Sequence, residues 1–177
     1  MKHLKFKASL LITMLLMFTF ILLAGSSQAN SGGWDKYTWR QYKIKFEIPS
    51  EFEVKENSAN QFAASDDIMT FEIYPWKDAN VEARDVAIQA VKDLNIEFKG
   101  SEAIVKDIKL NGFNGYRIEG NGTQKNKALH FTVLGLIDPK SSTNFAAYIL
   151  YWTGTRDDND YSAISNDIIE SISKMQR

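Results

Sequence analysis

The sequence contains no cysteine, only three prolines and only two histidines in 177 residues. Without cysteine there are no disulfides, no thiol nucleophile and no thiolate-based zinc site. An excess of one charge is also lacking, because 21 Lys and Arg stand against 22 Asp and Glu. Hydrophobic residues make up 44% of the chain, which excludes a disordered or collagen-like protein. The length predicts one domain.

The first 29 residues contain the three parts of a secretory signal peptide. Three lysines lie within the first seven residues, residues 10–24 are uncharged and mostly Leu, Ile, Met and Phe, and small side chains follow at Ser27 and Ala29. This order predicts cleavage between Ala29 and Asn30, and therefore a secreted or periplasmic protein.

The alternative is an uncleaved membrane anchor. Residues 8–25 form an uncharged run of 18 residues, near the lower limit of about 17–25 needed to span a bilayer. The small residues directly after this run favour cleavage. Ser26 occupies the position where a bacterial lipoprotein signal requires cysteine, so thioether lipidation is excluded. We therefore expect no membrane insertion after cleavage.

Cleavage would remove three lysines and no acidic residue, leaving 148 residues with 18 basic and 22 acidic side chains. A chain of this size buries about 68–70% of its unfolded surface, which is enough for a core without disulfides. The mild negative charge and the lack of a basic block argue against a nucleic-acid partner.

The remaining chain divides into a short tether and one domain. Residues 30–38 predict a flexible tether, because they contain Gly32-Gly33 and show no periodicity. The domain then covers residues 39–177. Alternating apolar residues at 41–48 predict its first strand. Further strands are predicted at 52–55, 61–64, 69–74, 104–110, 113–119, 128–138 and 144–153.

Two Asn-Gly pairs mark predicted turns. Asn111-Gly112 lies between two predicted strands, which is a strong signal for a two-residue hairpin because both positions need positive φ. Asn121-Gly122 predicts the start of the next turn by the same logic.

Apolar residues at helical spacing predict two helices, at 80–95 and 158–174. Asn80 is the predicted N-cap of the first. Its apolar stripe is rich in alanine, and small residues allow a helix to pack close to a sheet.

The strand at 144–153 is apolar on both faces, so it should be buried inside a sheet with one helix over each face. We expect Ile149 and Leu150 to point into different cores. The order of strands, helix, antiparallel strands and helix predicts an α+β fold, a mostly antiparallel sheet flanked by helices on both faces as an α/β/α sandwich.

Three segments carry a resemblance to a known family: F-E-I-P-S-E-F-E-V at 46–54, K-L-N-G-F-N-G-Y-R-I at 109–118 and I-I-E-S-I at 168–172. They resemble the PsbP-like α/β/α sandwiches, which include the photosystem II subunit PsbP, the Ran-binding Mog protein and the bacterial lipoprotein DcrB. The resemblance spans residues 42–173. It implies a non-catalytic domain that acts through protein partners, and it transfers no functional residue. Ser26 departs from the DcrB branch, where a lipidated cysteine is expected.

His130 is the only histidine that remains after cleavage, so a Ser-His-acid triad would need it. It lies in the middle of a predicted strand among apolar neighbours, which favours a half-buried structural histidine over a catalytic base. The sequence has no G-x-S-x-G, Walker or H-E-x-x-H motif. We therefore expect no enzyme, no cofactor and no metal.

The densest carboxylate cluster is the D-D-N-D run at 157–160. Oxygen ligands of this kind suit calcium, but the EF-hand pattern is absent. The alternative that we favour is that these acids cap the last helix and complement its positive end. Asp66-Asp67 is predicted to form a turn.

Trp34 and Trp76 are the candidate partner contacts, because exposed tryptophans are common at partner surfaces. The alternative is that both fold back over a sheet edge. The function favoured by the sequence is a non-catalytic module that acts through an unidentified protein partner; the alternatives are a carrier of a small apolar ligand and a hydrolase with an unrecognised site. A deep apolar cavity would favour the carrier, whereas a filled core with an exposed aromatic patch would favour the partner module.

Overall fold

The computed structural model describes residues 33–76, 78, 80–98, 103–141, 143–154 and 157–175. The predicted signal peptide, its cleavage site between Ala29 and Asn30, and the alternative anchor lie outside these residues. No helix in the described part of the chain is long and apolar enough to cross a membrane.

The described residues form eleven strands and two helices. The strands are β1 (Trp34–Trp39), β2 (Ile44–Pro49), β3 (Glu53–Asn57), β4 (Phe62–Ser65), β5 (Met69–Trp76), β6 (Glu97–Phe98), β7 (Ile104–Leu110), β8 (Phe113–Gln124), β9 (Lys127–Ile137), β10 (Asn144–Trp152) and β11 (Ser173–Lys174). The helices are α1 (Ala83–Asp93) and α2 (Asp158–Ser171). The predicted strands and helices are present, although β2 begins at Ile44 rather than at residue 41, because residues 40–43 form a turn.

Two antiparallel sheets build the domain. Eight strands form the main sheet in the order β3-β4-β5-β10-β9-β8-β6, with β7 paired to the other part of β8. The small sheet has the order β1-β2-β11. Helix α1 packs over β8, β9 and β10 on one face of the main sheet, while α2 and the small sheet cover the other. The predicted α+β fold is confirmed, and the separate small sheet is an addition to it.

Each face of the main sheet has its own core. The α2 core contains side chains from α2, from β2 and from one face of β5 and β10, whereas the α1 core contains the apolar face of α1. Ile149 is 2% exposed in the α2 core, and Leu150 packs against the α1 core. The expectation that they point into different cores is confirmed. Leu150 itself is only half-buried.

Helix α1 lies close to the sheet because the residues that face each other across this contact have small side chains. Its own residues Val86, Ala87 and Ala90 are buried against the sheet. Gly135 on β9 has no side chain to separate the two backbones. The helix begins at Ala83, and its N-cap residue is Glu82, which makes no side-chain cap bond. The prediction that Asn80 caps this helix is therefore wrong.

The predicted tether is wrong from residue 34 onward, because β1 pairs along its whole length with β2. Aromatic packing explains the ordering of this segment. Trp39 is 6% exposed, and its indole N–H donates to the carbonyl oxygen of Ser58 at 2.9 Å. The ring of Tyr37 lies 4.9 Å from that of Phe62. The domain thus includes residues that the sequence assigned to a linker.

The turn at Asn111-Gly112 is confirmed, with φ values of 42° and 99°. Asn121-Gly122 is not a turn, since both residues lie inside β8. A Cβ on Gly122 would lie 2.3 Å from Cγ2 of Ile96. The glycine therefore leaves room for Ile96, the residue that precedes β6. The turn forms instead at Lys125 and Asn126, with φ values of 50° and 63°.

Helix α2 ends at Ser171, earlier than predicted, because Asn111 caps it from the hairpin turn. The Asn111 Nδ2 group donates to the carbonyl oxygens of Glu170 at 2.7 Å and Ile172 at 3.0 Å. Beyond Ile172, Ser173 and Lys174 pair with β2 as β11.

Candidate functional site

One face of the main sheet is only partly covered. Helix α1 lies over β8, β9 and β10, and the residues beside it on β5 and β10 remain half-buried. We call these residues the aromatic strip: Tyr74, Trp76, Tyr148, Leu150 and Trp152. All five pack against the α1 core from its open side.

Strand β5 shows the difference between the two faces of the sheet. On the face toward α2, Met69, Phe71 and Ile73 are all 0% exposed. On the face toward the strip, every described side chain from Thr70 to Trp76 keeps partial exposure. On β10 the same alternation holds from Ala147 to Trp152, whereas Asn144 and Ala146 are buried on the strip face as well. The contrast gives the domain one closed face and one face on which aromatic side chains reach solvent.

Glu72 places a carboxylate among these rings. It accepts hydrogen bonds from the Tyr148 hydroxyl and from Nε2 of Gln61. Burial raises the pKa of Glu72, and the nearby carboxylate of Glu56 raises it further, although the two hydrogen bonds oppose this. Burial together with the negative charge of Asp93 and Glu72 raises the pKa of Tyr74 to about 12. The strip therefore combines apolar rings with a partly desolvated negative charge.

The two tryptophans singled out from the sequence lie on different faces of the molecule. Trp76 belongs to the aromatic strip and packs against the α1 core. Trp34 lies on β1 of the small sheet and packs against the α2 core. Both side chains are half-buried. The structure does not bring them together, so only one of them can contribute to the strip.

His130 lies in a second polar cluster, on the α2 face of the sheet. Its Nδ1 atom lies 3.0 Å from Oδ1 of Asn121, and its Nε2 atom lies 3.4 Å from Oε1 of Glu119. Arg117 forms an ion pair with Glu119 at 2.7 Å and donates to Asn166 of α2 at 3.0 Å. Burial lowers the pKa of His130, while the carboxylate of Glu119 opposes the shift.

His130 is half-buried, as expected from the sequence, but the prediction that its neighbours are apolar is wrong. The apolar residues beside His130 in the sequence point to the opposite face, and its spatial neighbours are polar. The ring also stacks on Tyr151, with centroids 5.0 Å apart. In the described part of the chain, no Ser or Thr hydroxyl forms a hydrogen bond with His130. Both imidazole nitrogens face groups that hold the ring in place.

The acidic run at 157–160 lies at the start of α2, where the dipole of the helix favours negative charge. Asp158 and Asp160 occupy its first turn. Asp158 accepts the backbone N–H of Gly154 at 2.9 Å, but the N-cap residue Asp157 makes no side-chain cap bond. Among the described residues, no three His, Asp or Glu side chains are grouped to hold a metal ion. Asp66 closes a turn by accepting the N–H groups of Ile68 and Met69.

Two recesses lie on the α2 side of the described domain. The space between α2 and the sheet, lined by Phe71, Leu134 and Ile169 among others, does not admit a water molecule. An open groove of about 380 Å³ lies between the small sheet and the end of α2. Its lining is largely polar and includes Lys36, Lys45 and Glu170. Neither recess is a deep apolar cavity.

No protein-family model matches the sequence, and no curated protein matches it. Solved structures do share its fold. The Ran-binding protein Mog1p from Saccharomyces cerevisiae has a TM-score of 0.54 at 8% identity, with 82% of this chain and 97% of that chain covered.

LpqN from Mycobacterium tuberculosis, described as involved in cell envelope biogenesis, has a TM-score of 0.53 at 14% identity. The match covers 81% of this chain and 91% of that chain. Identities this low establish the fold alone. The chain therefore has the α+β sandwich fold of the Mog1 and PsbP-like proteins.

Proposed function

We propose that the protein is a non-catalytic binding module, secreted or periplasmic, that holds a protein partner on the aromatic strip. The observation that carries this proposal is the alternation on β5 and β10, which buries one face completely and leaves Tyr74, Trp76 and Tyr148 half-exposed on the other. Tyr and Trp are enriched at protein interfaces, where they provide large contact areas.

The comparisons support the proposal only by analogy. Mog1p is a Ran-binding protein of this fold, so the fold is compatible with a protein partner. LpqN is described with the cell envelope, which agrees with the location suggested by the signal-like residues before Asn30. Function resides in sites rather than folds, so the strip and not the likeness is the argument.

The alternative functions receive less support from the described residues. A carrier of a small apolar ligand needs an enclosed apolar volume, and the space between α2 and the sheet does not admit even a water molecule. A hydrolase built on His130 needs a free nitrogen beside a nucleophile. The nitrogens of His130 instead face Asn121 and Glu119.

Site-specific crosslinking in the cells that produce the protein tests the proposal. A photoreactive amino acid at Thr70, which lies opposite Leu150 on the strip face, should crosslink to one protein. Trp76→Ala should reduce that crosslink at least about tenfold, since truncating a central aromatic contact commonly costs 2 kcal/mol or more. Trp34→Ala is the matched control and should leave it unchanged. A crosslink that survives Trp76→Ala, or none at all from Thr70, would contradict the proposal.

A further inference from the structure

We propose that the partner segment on the aromatic strip presents a lysine or arginine, whose side chain pairs with the carboxylates of Glu56 and Glu72. This inference rests on the proposed function, because it specifies the chemistry of the partner that the strip holds. It follows from the strand register, from the charge around the strip and from the chain's own use of one aromatic ring.

The register places four residues in one row across the sheet. Glu56 pairs with Ala63, Ala63 pairs with Glu72, and Glu72 pairs with Tyr148. Paired residues on antiparallel strands share a face. Because neighbouring strands lie about 4.8 Å apart, the backbones of Glu56 and Glu72 are separated by about 10 Å. Ala63 lies between them and is itself buried, so the two carboxylates flank one small residue of the sheet.

The basic side chains of the described residues do not neutralise the charge in this row. Among the described residues, no lysine or arginine forms an ion pair with Glu56 or Glu72. The nearest lysine in sequence, Lys55, pairs with Glu53 instead. The donors that the described residues offer are uncharged: the hydroxyl of Ser58 to Glu56 at 2.7 Å, and Tyr148 and Gln61 to Glu72.

The negative charge extends along the open side of the strip. Asp93, at the end of α1, acts on Tyr74 in the same direction as Glu72. A surface with apolar rings and unneutralised carboxylates is complementary to a segment that carries a cation beside apolar side chains. An acidic segment would be repelled by the carboxylates, and a purely apolar one would desolvate them without adding a positive charge.

At the Trp152 end of the strip, a lysine of the chain itself lies over the aromatic ring. The Nζ atom of Lys127 lies 5.4 Å from the centroid of Trp152, within the range of a cation–π contact. No such contact covers Tyr74, Trp76 or Tyr148 among the described residues. The rings and the carboxylates that no described cation contacts therefore lie at the same end of the strip.

The test uses the protein purified from the cells that produce it and a random peptide library displayed on phage. The best peptide that requires Trp76 for binding is synthesised and its affinity measured. We expect it to contain Arg or Lys and to lose about tenfold or more in affinity for Glu56→Gln/Glu72→Gln. The control Glu47→Gln/Glu170→Gln makes the same change of charge on the opposite side of the sheet, and should change affinity less than about twofold. Because Glu56 is exposed, Glu56→Gln alone serves if the double variant is unstable.

The outcomes separate the two proposals. A peptide that requires Trp76 but binds the double Gln variant as well as the wild type would overturn the cationic segment and leave the proposed function standing. If no selected peptide requires Trp76, the strip is not a docking surface and both proposals are wrong. A rise in Tm with calcium alone, lost in the double variant, would also overturn the inference, because the carboxylates would then serve a metal ion.

Discussion

A Cβ atom placed on Gly135 would lie 1.9 Å from the carbonyl oxygen of Ala83, so strand β9 and helix α1 touch backbone to backbone. This approach sets how close α1 sits on the sheet.

Gly135→Ala should therefore destabilise the domain by about 3 kcal/mol, at the upper end of what overpacking costs, because a rigid backbone must move. The measurement is the midpoint of urea unfolding. Gly154→Ala is the control: its added Cβ would meet no atom within 4 Å, although φ is +93°. It should cost only about 1 kcal/mol, from backbone strain. Equal losses in the two variants would mean that the close contact contributes nothing.

Ile149 and Leu150 provide a direct comparison of the two faces. The sequence predicted that both belong to buried cores, and the structure distinguishes a buried Ile149 from a half-buried Leu150. Ile149→Asp places an unpaired carboxylate in the α2 core and should prevent folding. Leu150→Asp should still fold, with a lower Tm, because its carboxylate can reach water.

Circular dichroism during thermal unfolding distinguishes the two variants. If Ile149→Asp unfolds cooperatively at the wild-type temperature, the α2 core is not closed as described. If Leu150→Asp is as disruptive as Ile149→Asp, the strip is buried and does not offer a surface.

His130→Gln should leave partner binding intact and reduce stability by on the order of 1 kcal/mol at neutral pH. Burial lowers the pKa of His130 below its ordinary value of 6.5. The unfolded chain therefore takes up the proton first as the pH falls, and His130 reduces stability from pH 6.5 down to its folded pKa. Unfolding experiments across this window should show a steeper loss of stability in the wild type than in the variant. Parallel curves, or loss of partner binding in a folded variant, would show that His130 has another role.

Glu72→Gln should raise the Tm at pH 7. The folded pKa of Glu72 is raised above its ordinary value of 4.5 by burial, so the wild type loses stability as the pH rises from 4.5 through the folded pKa. The amide variant does not titrate, and its advantage should disappear below pH 4.5. Glu170→Gln, exposed at the end of α2, should change Tm little at either pH. A variant less stable than the wild type at pH 7 would mean that the carboxylate stabilises the isolated protein and needs no partner to explain it.

Local patterns predicted the fold where neighbouring residues decide the structure. Asn111-Gly112 forms its turn because positive φ suits both residues. Asn121-Gly122 has the same signal, but β9 pairs with both residues and β6 pairs with Gly122, which keeps this part of β8 extended. Residues 34–39 lack a clean alternation, and they are ordered only because β2 provides an edge to pair with.

The candidate site was less accessible to sequence reasoning, because it depends on register. The polar neighbours of His130 are Asn121 and Glu119, which lie on another strand and cannot be paired with it before the hairpin turn is placed. The alternation from Met69 to Tyr74 was visible, with Glu72 and Tyr74 on the outer face, whereas the continuation of the strand to Trp76 was not. How close α1 lies to that face was not visible either, since it depends on Gly135 and the small residues of the helix.

The most direct test of the central claim uses the four tryptophans of the chain, labelled as 5-fluorotryptophan and observed by fluorine NMR. The partner captured through Thr70 is added to the purified protein. We expect the resonance of Trp76 to shift strongly on binding, whereas those of Trp34 and Trp39 should not move. A shift of Trp34 without one of Trp76 would place the partner on the small sheet and contradict the account.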